Sequence, residues 1–182
     1  MSMIDDMQLQ ARDRRQGAGR WVGFGADTKG LQKMVKSMVG SQQGRKVVRE
    51  ASKAALTLFN IETGDNAAKL NLKPSGKGWR KLLTKAKAYK YKASAKASGQ
   101  FSAATGINYG YAILRVSHLV ERGFQHFRAG KVSGNWFRMD AFRAKKQQVF
   151  NRFAANMAWG FDRMNKTGKA PSASQMRKRF VK

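Results

Sequence analysis

Two histidines and one glutamate lie close together in the sequence and could do chemistry. His118, Glu121 and His126 combine imidazole and carboxylate groups, which can ligate zinc or relay a proton. No second carboxylate lies nearby in sequence, and side chains at the end of a strand and in the turn after it need not converge. Residues 66–120 hold no carboxylate for the metal ions of a nuclease. We therefore expect a structural role for the trio, with no catalytic residues, no metal site and no enzymatic activity.

A glycine-rich motif, GSQQGRK at residues 40–46, is superficially similar to a phosphate-binding loop. It is one residue short between its glycines, and no lysine followed by serine or threonine comes after the second glycine. The end of one helix and the start of the next explain it better. We expect no cofactor.

Positive charge is the most informative feature of the sequence. The chain has 37 Lys and Arg against 10 Asp and Glu, a formal net charge of +27, and residues 66–120 hold 11 basic and no acidic side chains. Such charge predicts a polyanionic partner. Lysine outnumbers arginine in the middle of the chain, which favours contact with phosphates over reading of bases. The candidate contacts with double-stranded DNA are Lys77, Arg80, Lys81, Lys85, Lys87, Lys90, Lys92 and Lys96.

Three aromatic residues, Trp79, Tyr89 and Tyr91, are interleaved with these cations. Their rings could stack on bases while the cations follow the phosphates. The alternative is a solvated basic surface with the aromatic side chains in the core.

The sequence has no cysteine, no apolar run of about 18 residues and no secretory signal at residues 1–15. A soluble protein without disulfides or a membrane partner is expected.

The first 27 residues are rich in charge and glycine and carry two large aromatics, Trp21 and Phe24. They are either an arm that orders on a neighbouring subunit or a short edge strand of the same domain. Apolar spacing then predicts a helix over residues 31–38 and another over 43–60, which ends before the break at residues 62–64.

The second half is predicted to hold the sheet and a long helix. We expect a short helix or turn near residues 79–86, a strand over 90–96, a loop or hairpin tip over 97–106 and a strand over 109–120. A long helix begins after an N-cap at Asp140, and residues 166–182 form a basic tail that is disordered or a docking arm. The fold class is α+β: one domain, residues 28–165, in which a small, mainly antiparallel sheet packs against two N-terminal helices and one long C-terminal helix.

Residues 111–124, YAILRVSHLVERGF, resemble the tail-completion or head–tail joining family of long-tailed bacteriophages. A short strand in that family leads into a pattern like His-Leu-Val-Glu-x-Gly. The residues that match it here are His118, Leu119, Val120, Glu121 and Gly123. Trp136 and Phe137 stand where the family's C-terminal helix begins, although the prolines usual there are missing. The resemblance covers roughly residues 29–165.

The resemblance implies a structural virion protein of the phage neck, made in the host cytoplasm and present as a ring of six or twelve identical subunits. It would complete the tail, join it to the head and let the genome pass without sequence-specific reading. Its neighbours would be a connector or stopper and the tail terminator or tube. The motif residues would fix the geometry of a turn or make a contact between subunits. An arm carrying Trp21 and Phe24 would reach the next subunit. The alternative is a non-viral, sequence-nonspecific nucleic-acid-binding protein of the nucleoid or ribosome.

Overall fold

The computed structural model describes residues 21–26, 40–71, 77–98, 100–128 and 130–179, and of residues 21–26, Lys77 and His126 it describes the backbone alone. Helices and short antiparallel strands alternate, which confirms the α+β class. In chain order the elements are β1 (Trp21–Ala26), α1 (Gln42–Lys69), α2 (Lys77–Leu83), a 3₁₀ turn (Ala86–Ala88), β2 (Tyr89–Ala95), β3 (Phe101–Ile107), a second 3₁₀ turn (Ala112–Arg115), α3 (Val116–Arg122), β4 (Gly123–His126), β5 (Gly130–Ser133), α4 (Phe137–Thr167) and α5 (Ala173–Lys178).

The two long helices α1 and α4 form the centre of the core. Both carry apolar residues on one stripe at helical spacing, and the stripes pack together, as Phe59 does against the Phe142 ring at 6.1 Å. Ser41 caps α1, since its Oγ accepts a hydrogen bond from the Gly44 N–H at 2.9 Å. The GSQQGRK motif therefore contains the start of a helix, as predicted.

A three-stranded antiparallel sheet in the order β1-β3-β2 packs against this helix pair. Alternate residues of β3, including Ala103, Thr105 and Ile107, are buried toward the helices. The opposite side of β2 exposes Lys90 and Lys92. A separate hairpin, β4–β5, follows α3.

The predicted break at residues 62–64 is wrong, because α1 continues through it to Lys69. Thr63 is buried and donates its hydroxyl hydrogen to the Phe59 carbonyl, which keeps the polar group satisfied inside the helix. Gly64 lies where α2 ends: a Cβ there would stand 3.0 Å from the Leu83 carbonyl oxygen. Glycine at this position permits close packing between two helices and does not end one.

The predicted strand over residues 109–120 is also wrong. The chain turns at Asn108, whose Oδ1 accepts a hydrogen bond from the Gly110 N–H, and then forms a 3₁₀ turn and α3. Leu114, Ser117 and Glu121 are buried at helical spacing. The apolar residues on the other side, which suggested a strand covered on both faces, are exposed instead.

Two further segments differ from the prediction. Residues 101–106, assigned to a loop or hairpin tip, belong to the central strand β3, which spans Phe101–Ile107. Asp140 is not the N-cap of α4, which begins at Phe137 after Trp136; the helix ends at Gly168, whose φ is +70°.

The C-terminal segment folds onto the domain up to residue 179, which is the docking alternative, and not the disordered one, for this part of the predicted tail. Ser172 and Gln175 form a capping box at the start of α5, and Met176 is fully buried in the main core. Glu50 of α1 accepts a hydrogen bond from the Ala173 N–H at 3.1 Å, and Gln43 accepts one from the Ala170 N–H at 3.2 Å. The domain therefore extends past residue 165.

At the other end, β1 pairs with β3 of the same chain. Trp21 lies opposite Gly106 and Phe24 opposite Ala103. This is the edge-strand alternative, not the arm, for that part of residues 1–27. The predicted helix over residues 31–38 lies outside the described residues.

Candidate interaction surfaces

Glu121 holds the start of α4 and does not face a reaction site. Its carboxylate accepts hydrogen bonds from the backbone N–H groups of Arg138, at 3.0 Å, and Met139, at 3.3 Å. These are two of the N–H groups that a helix start leaves without partners, and the negative charge also suits the helix dipole. Glu121 thus connects α3 to α4, an N-terminal cap supplied from another helix.

Burial shifts the pKa values of two side chains at this contact, Glu121 and Arg138. It raises the pKa of Glu121 above its ordinary value, although the two N–H donors and the charge of Arg138 act in the opposite direction. Burial also lowers the pKa of Arg138, while Tyr109 and Glu121 oppose the shift. Both side chains are buried where α3 meets the start of α4.

The other members of the possible metal or acid–base trio are not gathered around Glu121. His118 is exposed on α3 and stands edge-on to the Tyr109 ring at 6.0 Å, whereas the Glu121 side chain is buried. His126 ends β4, and its side chain is outside the described part of the structure. No group of three or more His, Cys, Asp or Glu that could hold a metal occurs among the described residues.

The remaining motif residues shape the turn after α3. Gly123 has φ +78°, and a Cβ on it would lie 2.1 Å from the Val132 carbonyl oxygen of β5. Only glycine fits this position. Val120 is half-buried against the smaller core cluster, whereas Leu119 is 37% exposed.

The candidate DNA contacts fall into three groups. Arg80 is half-buried and donates to the Leu70 carbonyl, so it holds the end of α1 near α2 and is not a free surface cation. The exposed members lie on α2, in the 3₁₀ turn, on β2 and in the hairpin turn: Lys81, Lys85, Lys87, Lys90, Lys92 and Lys96. Only the backbone of Lys77 is described.

The interleaved aromatics are buried or partly buried, which is the alternative that places their side chains in the core and not the one that stacks them on bases. Trp79 is buried with its ring 5.9 Å from the Phe137 ring. The Tyr89 hydroxyl lies 2.8 Å from the Leu83 carbonyl oxygen, and burial raises the pKa of Tyr89. Tyr91 accepts a hydrogen bond from Asn60, and burial raises the pKa of Tyr91 as well.

The side of the sheet that faces away from the helices is cationic and carries small residues. Lys90 and Lys92 are exposed on it, and the next position on that side of β2 is Ser94, whose Oγ lies 3.0 Å from that of Ser102 on β3. Lys92 pairs with Ala104. We call this side the sheet face. Small side chains leave room for a phosphate backbone to approach the two lysines.

A second surface was not predicted, and it is apolar. Seven of the eight exposed large hydrophobic side chains among the described residues fall within residues 111–136. We call them the apolar surface: Tyr111, Ile113, Val116, Leu119, Phe124, Phe127 and Trp136. Phe127 is 86% exposed at the tip of the β4–β5 hairpin, and Trp136 is 50% exposed. Concentration of exposed large hydrophobic residues in one stretch makes it a candidate interaction site.

Two grooves flank Trp136 on this surface. One, of about 480 Å³, lies between Trp136, Phe124 and Val132, with Arg122 and Lys131 at its border. The other, of about 300 Å³, is lined by Trp136 and Met139. Backbone geometry explains the position of Trp136, because it is the only non-glycine among the described residues with a positive φ, 46°. This conformation is uncommon for a bulky side chain.

Among the described helices, none combines the length and apolarity needed to cross a bilayer. Comparison with known proteins found no matching family model, no matching curated protein and no matching solved structure.

Proposed function

We propose that this chain is a structural, non-enzymatic virion protein of a bacteriophage neck. It forms a ring of six or twelve copies that completes the tail, joins it to the head and lets genomic DNA pass. Its location is the neck of the virion, between the capsid portal and the tail. Its neighbours are a connector or stopper and the tail terminator or tube.

The observation that carries the proposal is the coincidence of the motif with the apolar surface. The His118–Gly123 pattern lies in the same 26-residue stretch, 111–136, that exposes seven large hydrophobic side chains. Within this stretch, Glu121 and Gly123 hold the backbone, whereas Val116 and Leu119 are exposed. This division suits an element that presents a rigid contact to a neighbouring protein. A ring repeats one heterologous contact until it closes.

The charge supports a passage for DNA. The sheet face carries Lys90 and Lys92, and lysines lining a channel would offset phosphate charge without reading bases. Excess positive charge is costly in a closed ring of identical subunits unless a polyanion offsets it.

Native mass spectrometry across a range of protein concentrations tests the ring. The wild-type chain is expected to reach six or twelve copies, alone or with its neck partner. Val116→Ser removes an exposed apolar contact from α3 and should abolish the ring. Ile61→Ser is the matched control, because Ile61 is the eighth exposed large hydrophobic residue and lies outside residues 111–136, on α1. A monomer that binds RNA tightly and releases it with salt would contradict the neck assignment.

The cationic sheet face also fits a second function, a non-viral protein that binds nucleic acid without sequence preference in the nucleoid or on the ribosome. Such a protein would act as a monomer or dimer. The oligomeric state of the protein distinguishes the two functions. A ring whose formation requires Val116 favours the neck protein. Tight nucleic-acid binding by a protein that forms nothing larger than a dimer favours the alternative.

A further inference from the structure

Two arginines contact one tryptophan ring where α4 meets α5. The guanidinium carbon of Arg163 lies 5.4 Å from the centre of the Trp159 ring, and that of Arg179 lies 5.7 Å from it. Arg163 is one turn after Trp159 on α4, whereas Arg179 directly follows α5. Trp159 is half-buried and both arginines are exposed. We call these three residues the arginine–tryptophan cluster.

The docking of α5 places Arg179 in this cluster. The capping box of Ser172 and Gln175 begins the helix, and Met176 is buried in the main core. Arg179 comes three residues after Met176 and contacts a ring that lies 20 residues earlier in the chain. The cluster therefore belongs to the folded domain, although Arg179 is part of the basic tail in sequence.

The charge around the cluster is of one sign. Residues 163–182 contain seven basic and no acidic side chains. Asp162, which comes just before them, contacts Lys166 at 3.1 Å. The two guanidinium groups also repel each other, because one ring holds both of them, and an anion that contacts both would offset this repulsion. The cluster therefore favours a negatively charged partner.

The arginine side chains favour phosphate groups in particular. A guanidinium group is a planar fork of N–H donors that matches two oxygens of a phosphate, whereas a lysine is a point charge. Contact with an indole ring restricts the guanidinium group, so less conformational entropy is lost when a phosphate binds. A nucleic-acid strand carries phosphates at regular spacing, so neighbouring phosphates can contact both arginines at once. The sheet face, in contrast, carries lysines.

We propose that Arg163 and Arg179 bind phosphates of a nucleic-acid backbone and that Trp159 is the positioning residue for both. This contact is separate from the sheet face and gives the docked part of the basic tail a binding role. It reads no bases, because phosphate contacts carry no sequence information. It does not depend on the neck assignment, since both functions proposed above bring the chain to nucleic acid.

Binding of a short duplex DNA to the full chain, measured by fluorescence anisotropy over a range of salt concentrations, tests the contact. Arg163→Lys with Arg179→Lys keeps both charges but removes both forks, so affinity should fall by about tenfold while the salt dependence is unchanged. Arg163→Gln with Arg179→Gln should in addition lower the slope of log affinity against log salt by about 1.8.

Trp159 variants test the positioning role, because they change no charge. Trp159→Leu should lower affinity by about fivefold, and Trp159→Phe, which keeps a ring beside the arginines, should restore most of it. Urea unfolding of each variant reports whether the fold is intact. If Trp159→Leu unfolds more easily, the arginine-to-lysine pair still decides the result, because both arginines are exposed.

Arg143→Lys is the matched control, because Arg143 is an exposed arginine on the same helix, about 30 Å from Arg163 along the axis. It should leave affinity unchanged. An equal loss in this control would overturn the proposal, as would unchanged affinity in the arginine-to-lysine pair. Polyglutamate is a second probe: if the pair weakens binding of polyglutamate and not of DNA, the cluster binds an acidic polypeptide and the proposal fails.

The outcome for this contact is distinct from the outcome for the neck assignment. If no ring forms but the arginine-to-lysine pair weakens DNA binding as expected, the phosphate contact stands and the neck assignment fails. If a ring forms and the pair binds DNA like the wild-type chain, this inference fails and the neck assignment stands.

Discussion

Glu50 anchors the C-terminal helix α5 to α1, and its replacement by alanine should release that helix. The Glu50 carboxylate accepts a hydrogen bond from the Ala173 N–H at 3.1 Å and forms an ion pair with Lys53 at 2.8 Å. A partly buried hydrogen bond to a charged acceptor contributes about 1.5 kcal/mol, whereas the ion pair with Lys53 lies within α1 and does not hold α5. Glu50→Ala should thus weaken the docking of α5 by about 1.5 kcal/mol, or about 12-fold in the opening equilibrium.

The assay is hydrogen exchange at the amides of residues 173–178, where a roughly 12-fold loss of protection is expected. Glu62→Ala is the matched control, because Glu62 is also on α1 but contacts Lys145 of α4. It should leave α5 unchanged. Equal protection of α5 in the wild-type chain and in Glu50→Ala would refute the role of Glu50 in anchoring α5 to α1.

The same contact predicts a dependence on pH. Burial of Glu50 favours a raised pKa, but the hydrogen bonds from Lys53 and Ala173 outweigh it and hold the pKa below the ordinary carboxyl value. A lowered pKa in the folded state contributes stability that is present above the ordinary value and is lost as the pH falls through the lowered one. Protection of α5 should therefore decline in acid, and Glu50→Ala should lack this part of the decline.

Three other variants test the remaining contacts. Glu121→Ala leaves two backbone N–H groups at the start of α4 without their acceptor, and should cost about 2–4 kcal/mol in urea unfolding. Gly160→Ala should destabilise the chain by about 1–3 kcal/mol in the same assay, since its Cβ would stand 2.7 Å from Val47 Cγ1 on α1. Neutralising Lys90 and Lys92 with glutamine should weaken binding to duplex DNA and reduce the slope of log affinity against log salt by about 1.8, measured by titration.

Each of these variants has a control. Glu62→Ala removes a carboxylate with a partly exposed ion pair and should cost under about 1 kcal/mol, so a similar cost for Glu121→Ala would contradict the capping role. Val47→Ala makes room beside residue 160, and its combination with Gly160→Ala should cost less than the sum of the two. Lys146→Gln with Lys169→Gln removes two exposed charges elsewhere. If this pair reduces DNA binding as much as Lys90 and Lys92 do, the sheet face is not the contact.

Local patterns predicted the elements that have one buried stripe. Each of these elements buries one face, so its apolar residues recur with the period of a helix or a strand. This periodicity predicts the start of α1, the body of α4 and the alternation of lysines along β2. These positions are confirmed, as is the fold class.

Sequence reasoning failed where contacts between elements distant in sequence determine the local structure. Gly64 suggested a break, but it lies inside α1 because the end of α2 packs against it. Residues 111–119 are apolar on both sides, which fits a covered strand as well as it fits an exposed interaction helix. Single-sequence patterns cannot separate these cases, because both place apolar side chains on every face. In α5, the burial of Met176 depends on Gly160 of α4, which no local pattern in residues 166–182 reveals.

The candidate site divides in the same way. The basic character of residues 80–96 was readable from composition, but the contacts of Arg80 and the burial of Trp79, Tyr89 and Tyr91 were not. The capping of α4 by Glu121 joins positions 17 and 18 residues apart, beyond the reach of a helix-start motif. A signal for the apolar surface was present in the density of large hydrophobic residues over 111–136.

Electron microscopy of phage particles assembled without this protein tests the central claim most directly. The neck assignment predicts DNA-filled heads and finished tails that remain separate, and joining should return when the protein is added back. Normal, infectious virions assembled in its absence would contradict the account.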